Sequence, residues 1–318
     1  ETGSGMGPAL GISITTVDAN QGTAVPIGEG AEWVDGANRV ARMLKNRDAL
    51  LRIHHVVDAA WVPREIEARL TITLPGGETI EKTDRKFIEG NSTETGVEEG
   101  FYFGLSSDEG ETVADSLYQV SLWEVGPGGE GLPEGVNVNP AAGPNIIGFE
   151  NVDMAMNIKF VPFQYIFNGT IPDIYDETYQ QILTDRIYEQ KPINALNIEW
   201  GDPVVFDGQI PSDGSVCNML PTMNQIWMQH GAPDDIYFVG IIDSGFIGGT
   251  AGCAWLGSMI NANVWAESKT QLADTIVHET GHNQGLSHVD CENGDYPAGQ
   301  EPSNEYPDHP LGRIMSTG

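Results

Sequence analysis

The chain has 318 residues, enough for one large or two ordinary domains, and 40% are hydrophobic, which supplies packed cores and excludes a disordered polymer. Acidic residues number 46 against 15 basic, a net charge of −31, and this excludes nucleic acid and anionic membranes as partners, because phosphate contacts need Lys and Arg. Apolar runs fall short of the ~18 residues of a membrane span, and the acidic residues are spread along the chain, as on the coat of a folded protein.

Glu1 to Gly5 look like an expression scar or linker, and with no starting Met or signal peptide the chain reads as already processed. Residues 6 to about 30 show no clear period, so 1–30 are expected to be a loose lead-in. Trp33 to Leu44 suit a short helix or an irregular entry, with Arg39, Arg42 and Lys45 as a small basic island on a solvated face. From Ala49 strands dominate. Leu50 to Val57 is rich in β-formers, and Ile66 to Leu74 alternates with period two. Pro75-Gly76-Gly77 turns the chain into a strand from Glu78 to Lys82, and Phe101 to Leu105 and Leu117 to Val125 continue the pattern. Evenly spaced strands with Gly- and Pro-bearing turns predict an antiparallel β-sandwich over 31–150. His54 and His55 are adjacent in a strand and point to opposite faces, which suits structural roles better than a shared metal. The sequons at Asn91 and Asn168 mark surface loops. Gly126 to Pro144, dense in Gly and Pro, reads as the linker, with the boundary near residue 150.

Beyond it the pattern alternates β and α. Strands are expected at Asn157 to Tyr165, Ala195 to Trp200 and Asp235 to Ile242. Helices are expected at Glu177 to Gln190 and Val216 to His230, where His230 sits favourably at a helix C-terminus. A third helix, from about Lys269 to Gln284, has Ser268 as N-cap with Gln271 three residues on, and an apolar side of Leu272, Ile276 and Val277.

That third helix carries His278-Glu279-Thr280-Gly281-His282-Asn283-Gln284-Gly285-Leu286-Ser287-His288, which reads H-E-x-x-H-x-x-G-x-x-H. Histidines four apart stand on one helix face and can grip one zinc ion from the same side. Gly285 falls where the helix should stop, since glycine tolerates the left-handed backbone of a helix end, and the turn can bring His288 back as third ligand. Three protein ligands leave a fourth position open, the mark of a catalytic zinc site. Glu279, beside the first ligand, is placed to act as general base. The expected fold class is therefore α+β and multidomain: a sandwich followed over 151–318 by an α/β domain with a twisted sheet and an active-site helix.

These residues resemble the zinc signature of the metzincin clan of metallopeptidases, and Ile314-Met315-Ser316 matches the clan's methionine-containing turn. From about Asn157 onward the chain resembles secreted bacterial metzincins of the HExGHNxGxxHxxC type, more distantly the mucin-cleaving metallopeptidases. Thr280, Asn283 and Cys291 fit the narrower pattern. The resemblance implies a secreted zinc endopeptidase with His278, His282 and His288 as ligands, Glu279 as catalytic base and Met315 under the metal. It also implies that the strand before the active helix is the sheet edge that pairs with substrate, here Gly252, Cys253 and Ala254. Asp290 is an alternative third ligand, though the clan's spacing favours His288. Many metzincins carry a Tyr two residues after the turn methionine; here Thr317 stands there, which leaves oxyanion help and pocket identity open.

Cys217, Cys253 and Cys291 form an odd set. Cys253 and Cys291 flank the active helix, which suggests a Cys253–Cys291 disulfide, with three buried thiols as the alternative and Cys217 as a small core residue. Asp290, Asp295 and Asp308 show no recognised calcium-loop spacing and read as solvated carboxylates. The expected partner is a protein or glycoprotein substrate met by a monomer, without membrane insertion; the acidic coat would repel a heavily sialylated or sulfated one unless the cleft is locally neutral. The competing expectation is a surface-binding, adhesin-like protein with a latent or truncated peptidase domain.

Overall fold

The computed structural model describes residues 7–93, 96, 99–211, 215–245, 251–266 and 268–286. The chain divides into two compact units, Glu1–Asp153 and Met154–Gly318. It is a mixed α+β protein: the first unit is built of strands, the second of a largely parallel sheet with helices. Among the described residues no helix is long and apolar enough to cross a membrane.

The first unit runs β1 (Ile12–Asn20), β2 (Ala24–Glu29), β3 (Glu32–Trp33), β4 (Met43–Leu44), β5 (Ala49–Val57), β6 (Arg64–Thr73), β7 (Thr79–Ile88), β8 (Phe101–Leu105), β9 (Leu117–Glu124), β10 (Val138–Asn139), β11 (Asn145–Ile146) and β12 (Phe149–Glu150). Its two larger sheets have the orders β3-β2-β1-β5-β8 and β10-β9-β6-β7, with β11 also on β9, and both are antiparallel. Period-two alternation sends Ile66, Ala68, Leu70 and Ile72 of β6 inward with Tyr118, Val120 and Leu122 of β9. They meet Ile12, Ile14, Leu51 and Ile53 of the other sheet in one core cluster, which makes the unit a sandwich.

Three expectations change here. Residues 6–30 are no lead-in: β1 lies at the centre of its sheet, between β2 and β5. Its alternation is hidden because the register shifts between Ile14 and Thr16 and between Val17 and Asp18, so the buried positions change phase from Ile12 and Ile14 to Val17 and Ala19. Of the two readings for residues 33–44, the helix is absent and the irregular entry is what forms: the end of β3, a 3-10 turn at Gly36–Asn38 and β4. Their basic island is engaged: the Arg39 guanidinium donates to the Val34, Ile146 and Ile147 carbonyls, Arg42 pairs with Glu150 and Lys45 with Asp153. The Gly- and Pro-rich stretch after β9 returns to it as β10 and β11, and buried Asn139 donates to the Gly30 and Glu32 carbonyls, so this stretch belongs to the sandwich. His54 pairs with Asp18 at 3.1 Å, whereas the His55 ring reaches the Gly90 carbonyl at 3.0 Å; each histidine has its own structural partner.

The second unit runs β13 (Ala155–Tyr165), α1 (Glu177–Gln190), β14 (Ala195–Trp200), β15 (Val204–Phe206), α2 (Leu220–Gln229), β16 (Ile236–Ile242), β17 (Gly252–Ala254), β18 (Ile260–Val264) and α3 (Lys269–Asn283). The sheet order is β14-β13-β16-β18-β17, with β15 also on β13; every pair is parallel except the last. Alternate residues of β13 and β16 feed opposite faces: Met156, Ile158, Phe160, Val239 and Ile241 pack with α1 and α3, whereas Val161, Phe163, Tyr165, Phe238 and Ile242 pack with α2. The antiparallel β17 is therefore an edge, beside β18 and next to α3.

Candidate metal centre

The sequence fixes both ends of α3 locally. The Ser268 hydroxyl accepts from the Gln271 amide at 3.4 Å. At the other end Gly285 takes the left-handed conformation, φ +87°, its N–H donates to the His282 carbonyl and the Leu286 N–H to the Gly281 carbonyl. This pair of bonds is the Schellman stop, and half-buried Leu286 packs on the core as such stops favour. Leu272, Ala273, Ile276 and Val277 hold the helix against the sheet. Buried Asp274 accepts from Arg186 and Gln190 of α1 at 2.8 and 2.9 Å. With those faces spoken for, His278 and His282 turn together to one side.

Their Nε2 atoms lie 3.0 Å apart, with the rings nearly perpendicular at 84°. Glu279, 5% exposed, brings Oε1 to 3.8 Å from His278 Nε2. One ligand atom from each residue lies within 4.8 Å of the others, a spacing that could hold a metal ion. The donor chemistry fits. His282 Nδ1 lies 2.7 Å from the Leu286 carbonyl, so Nδ1 carries the proton and Nε2 keeps its lone pair for a ligand. Two nitrogens on one tetrahedral ion with ~2.0–2.1 Å bonds stand about 3.3 Å apart, close to the observed separation. Of the expected ligand set, His278 and His282 come together beside Glu279. His288, Asp290, Cys291, Asp295, Asp308, Met315 and Thr317 lie outside the described residues.

The predicted edge is next to this group. A Cβ at Gly252 would meet Glu279 Cγ and Oε1 at 2.6 Å, so only glycine lets β17 approach the carboxylate so closely. Cys253 corrects the expected disulfide: it is bonded to Cys217, with Cα atoms 5.2 Å apart, which excludes the Cys253–Cys291 pairing and makes Cys217 a tether rather than a core thiol. Successive side chains of a strand point to opposite faces. Gly252 faces Glu279 on the α3 side, so Cys253 faces the core shared with α2 and meets the 3-10 turn Val216–Met219 that leads into it.

Sequence reasoning missed a buried polar layer under the helix. Asn283 Nδ2 reaches the Ile260 carbonyl at 2.8 Å, Ser258 Oγ at 3.1 Å and the Trp255 carbonyl at 3.2 Å. Its Oδ1 accepts from Asn261 Nδ2 at 2.8 Å, and Asn261 Oδ1 accepts from Asn263 Nδ2 at 2.8 Å. Unpaired, each such buried group would cost about 1–3 kcal/mol. The Ile-Asn-Ala-Asn-Val alternation of β18 was a visible signal, but period two does not tell a polar face turned to water from one turned to a helix. Lys191 was missed too. It is 1% exposed, its ammonium donates to the Val277 carbonyl and Gln284 Oε1, both at 3.1 Å, and burial pushes its pKa down to about 7.

No family model matches the chain, and no curated protein does. Among solved structures, a chaperone–substrate complex aligns at TM-score 0.29 and 14% identity over 65% of this chain; the chain spans only 35% of that one. Metalloproteinase-II from Bacteroides fragilis aligns at TM-score 0.29 and 12% identity, over 87% of this chain and 78% of that one. A calcium-binding mutant of Bacteroides uniformis beta-glucuronidase 2 aligns at TM-score 0.22 and 10% identity, over 72% and 28%. Likenesses this loose carry no argument about function, which rests on the chain's own geometry.

Proposed function

We propose that this chain is a zinc-dependent endopeptidase that hydrolyses peptide bonds of proteins or glycoproteins outside the cell. The observation that carries the reading is the buried Glu279 carboxylate beside paired His278 and His282 nitrogens, on a helix flanked by an antiparallel sheet edge. His278 and His282 would hold the ion, with His288 as the third ligand that the motif spacing supplies. Zinc, when bound, supplies Lewis-acid polarisation of a carbonyl and lowers the pKa of water towards about 7.

The rest is done by the chain's own groups. Glu279 Oε1 accepts the proton of the attacking water and later delivers it to the leaving amine, with no covalent intermediate. Just before β17 the Ala251 carbonyl accepts from the Val264 N–H of β18, and within the ladder Cys253 faces Ala262. Antiparallel ladders alternate, so Cys253 turns its backbone to β18, while Gly252 and Ala254 turn theirs outward to an extended substrate. In this reading Gly252 and Ala254, of the three residues expected to bind substrate, would pair with it through their backbones, and Cys253 would anchor the edge. A secreted location fits the disulfide.

The test is metal analysis together with digestion of a mixed protein and glycoprotein panel, with Glu279→Gln as control. One zinc per chain and Glu279-dependent cleavage are expected. Zinc without cleavage would transfer the reading to a latent peptidase fold on a binding protein, and absence of zinc would overturn it.

A further inference from the structure

Thr275, Glu279 and Asn283 follow one another on α3 at four-residue spacing and form one stripe, next to the His278 and His282 stripe. The first stripe meets β17 at both ends of that strand. At the start, a Cβ on Gly252 would lie 2.6 Å from Glu279 and 2.8 Å from Thr275 Cγ2, closer than any side chain tolerates. At the far end, the Asn283 amide holds the turn that leaves β17 through the Trp255 and Ile260 carbonyls and Ser258 Oγ. The Gly257 N–H in the same turn donates to the His282 carbonyl at 3.0 Å. Behind Asn283, Asn261 and Asn263 continue the amide chain to the Gly240 carbonyl of β16. All three asparagines are buried.

Resting on the peptidase reading above, we propose that Gly252 and Asn283 are positioning residues. Gly252 sets how closely the edge approaches Glu279, and Asn283 locks the turn after the edge onto the helix. Together they fix the depth at which a substrate paired to β17 meets the carboxylate. The chemistry selects these two residue types. Asn283 is neutral and offers donors and an acceptor on one short side chain. Aspartate there would aim a carboxylate at two carbonyls, and leucine would leave those carbonyls to Ser258 alone and take the Asn283 acceptor from Asn261 Nδ2.

The test compares Gly252→Ala and Asn283→Leu with the wild type in the full chain. Three quantities are read: zinc content, amide hydrogen exchange, and kcat and KM per zinc-loaded molecule. Both variants are expected to bind one zinc. In Asn283→Leu, exchange in the 252–258 segment, Gly257 above all, should speed up about tenfold or more while β13 and β16 keep wild-type protection. Gly252→Ala should lower kcat about tenfold or more with KM within about twofold, the signature of a displaced base. Should Asn283→Leu fail to fold, Asn261→Ala removes the donor to Asn283 Oδ1 and the acceptor of Asn263 Nδ2 while leaving the Asn283 donors in place, and should show the same local exchange, weaker. Unchanged exchange at 252–258, exchange raised evenly over the whole unit, or unchanged kcat in Gly252→Ala would overturn the proposal. If the wild type shows no Glu279-dependent cleavage, the peptidase reading falls, and the exchange measurement still decides whether Asn283 holds the edge.

Discussion

Glu279 and Lys191 are both buried in the second unit and titratable, and they call for opposite tests. Glu279→Gln keeps shape and hydrogen-bonding capacity but cannot take a proton, so zinc content should stay at one per chain while kcat falls about 10²–10⁴-fold. Retained turnover would remove Glu279 from the mechanism. Lys191 is a stability question. Its folded pKa of about 7 lies below the ordinary lysine value of 10.5, because burial disfavours the charged amine. Between those two values the unfolded chain holds a proton that the native state lacks, so stability rises with pH, by up to about 1.4 kcal/mol per unit from this group. Below about 7 both states are protonated and the burial penalty is present in full. Lys191→Met should therefore flatten the pH dependence of urea unfolding between pH 7 and 9 and stabilise the chain at pH 6 relative to wild type. An undiminished slope in the variant would place the dependence elsewhere.

Among the elements of the second unit, β17 leans heavily on its surroundings: three residues, one β neighbour among the described strands and a glycine at its start. Its position comes from the Asn283 contacts on one side and the Cys217–Cys253 bond on the other, which closes a separation of 36 residues. Chain-entropy reasoning puts such a cross-link on the order of 3–4 kcal/mol. The double variant Cys217→Ser with Cys253→Ser should lower one calorimetric transition by roughly 10 °C and leave the other in place, because the first unit has its own core. A shift of both transitions would show that the units unfold together. Reading this element from sequence was possible only in part. The glycine and the edge position were visible, but the partner of Cys253 was not, since Cys217 and Cys291 lie almost equally far along the chain on either side.

Across the whole molecule, the acidic excess sets the response to salt. With a net charge of −31 and basic groups such as Arg42, Lys45, Lys82 and Arg186 already in ion pairs, much of that excess faces only like charge. Such self-repulsion destabilises the compact state and is screened by salt, with a Debye length of about 30 Å at 0.01 M and about 10 Å at 0.1 M. The melting temperature should therefore climb by several degrees between about 0.01 and 0.5 M NaCl and then level off. A flat response would mean that the carboxylates are too widely spaced to repel one another.

The sequence by itself determined what short-range physics controls. The 3.6-residue period placed His278 and His282 on one face, Ser268 and Gly285 set the ends of α3, and period-two alternation marked out β6 and β9. These are interactions between residues a few positions apart, so their signature is written in consecutive letters. The tertiary structure decided what depends on distant partners. It chose Cys217 over Cys291, buried the asparagines of β18 beneath α3, and folded the Gly- and Pro-rich stretch after β9 back onto the sandwich. It also recovered β1, whose alternation two register shifts had erased from the pattern. Where an atom's partner lies dozens of residues away, no local period records it, and only packing in three dimensions selects among the candidates.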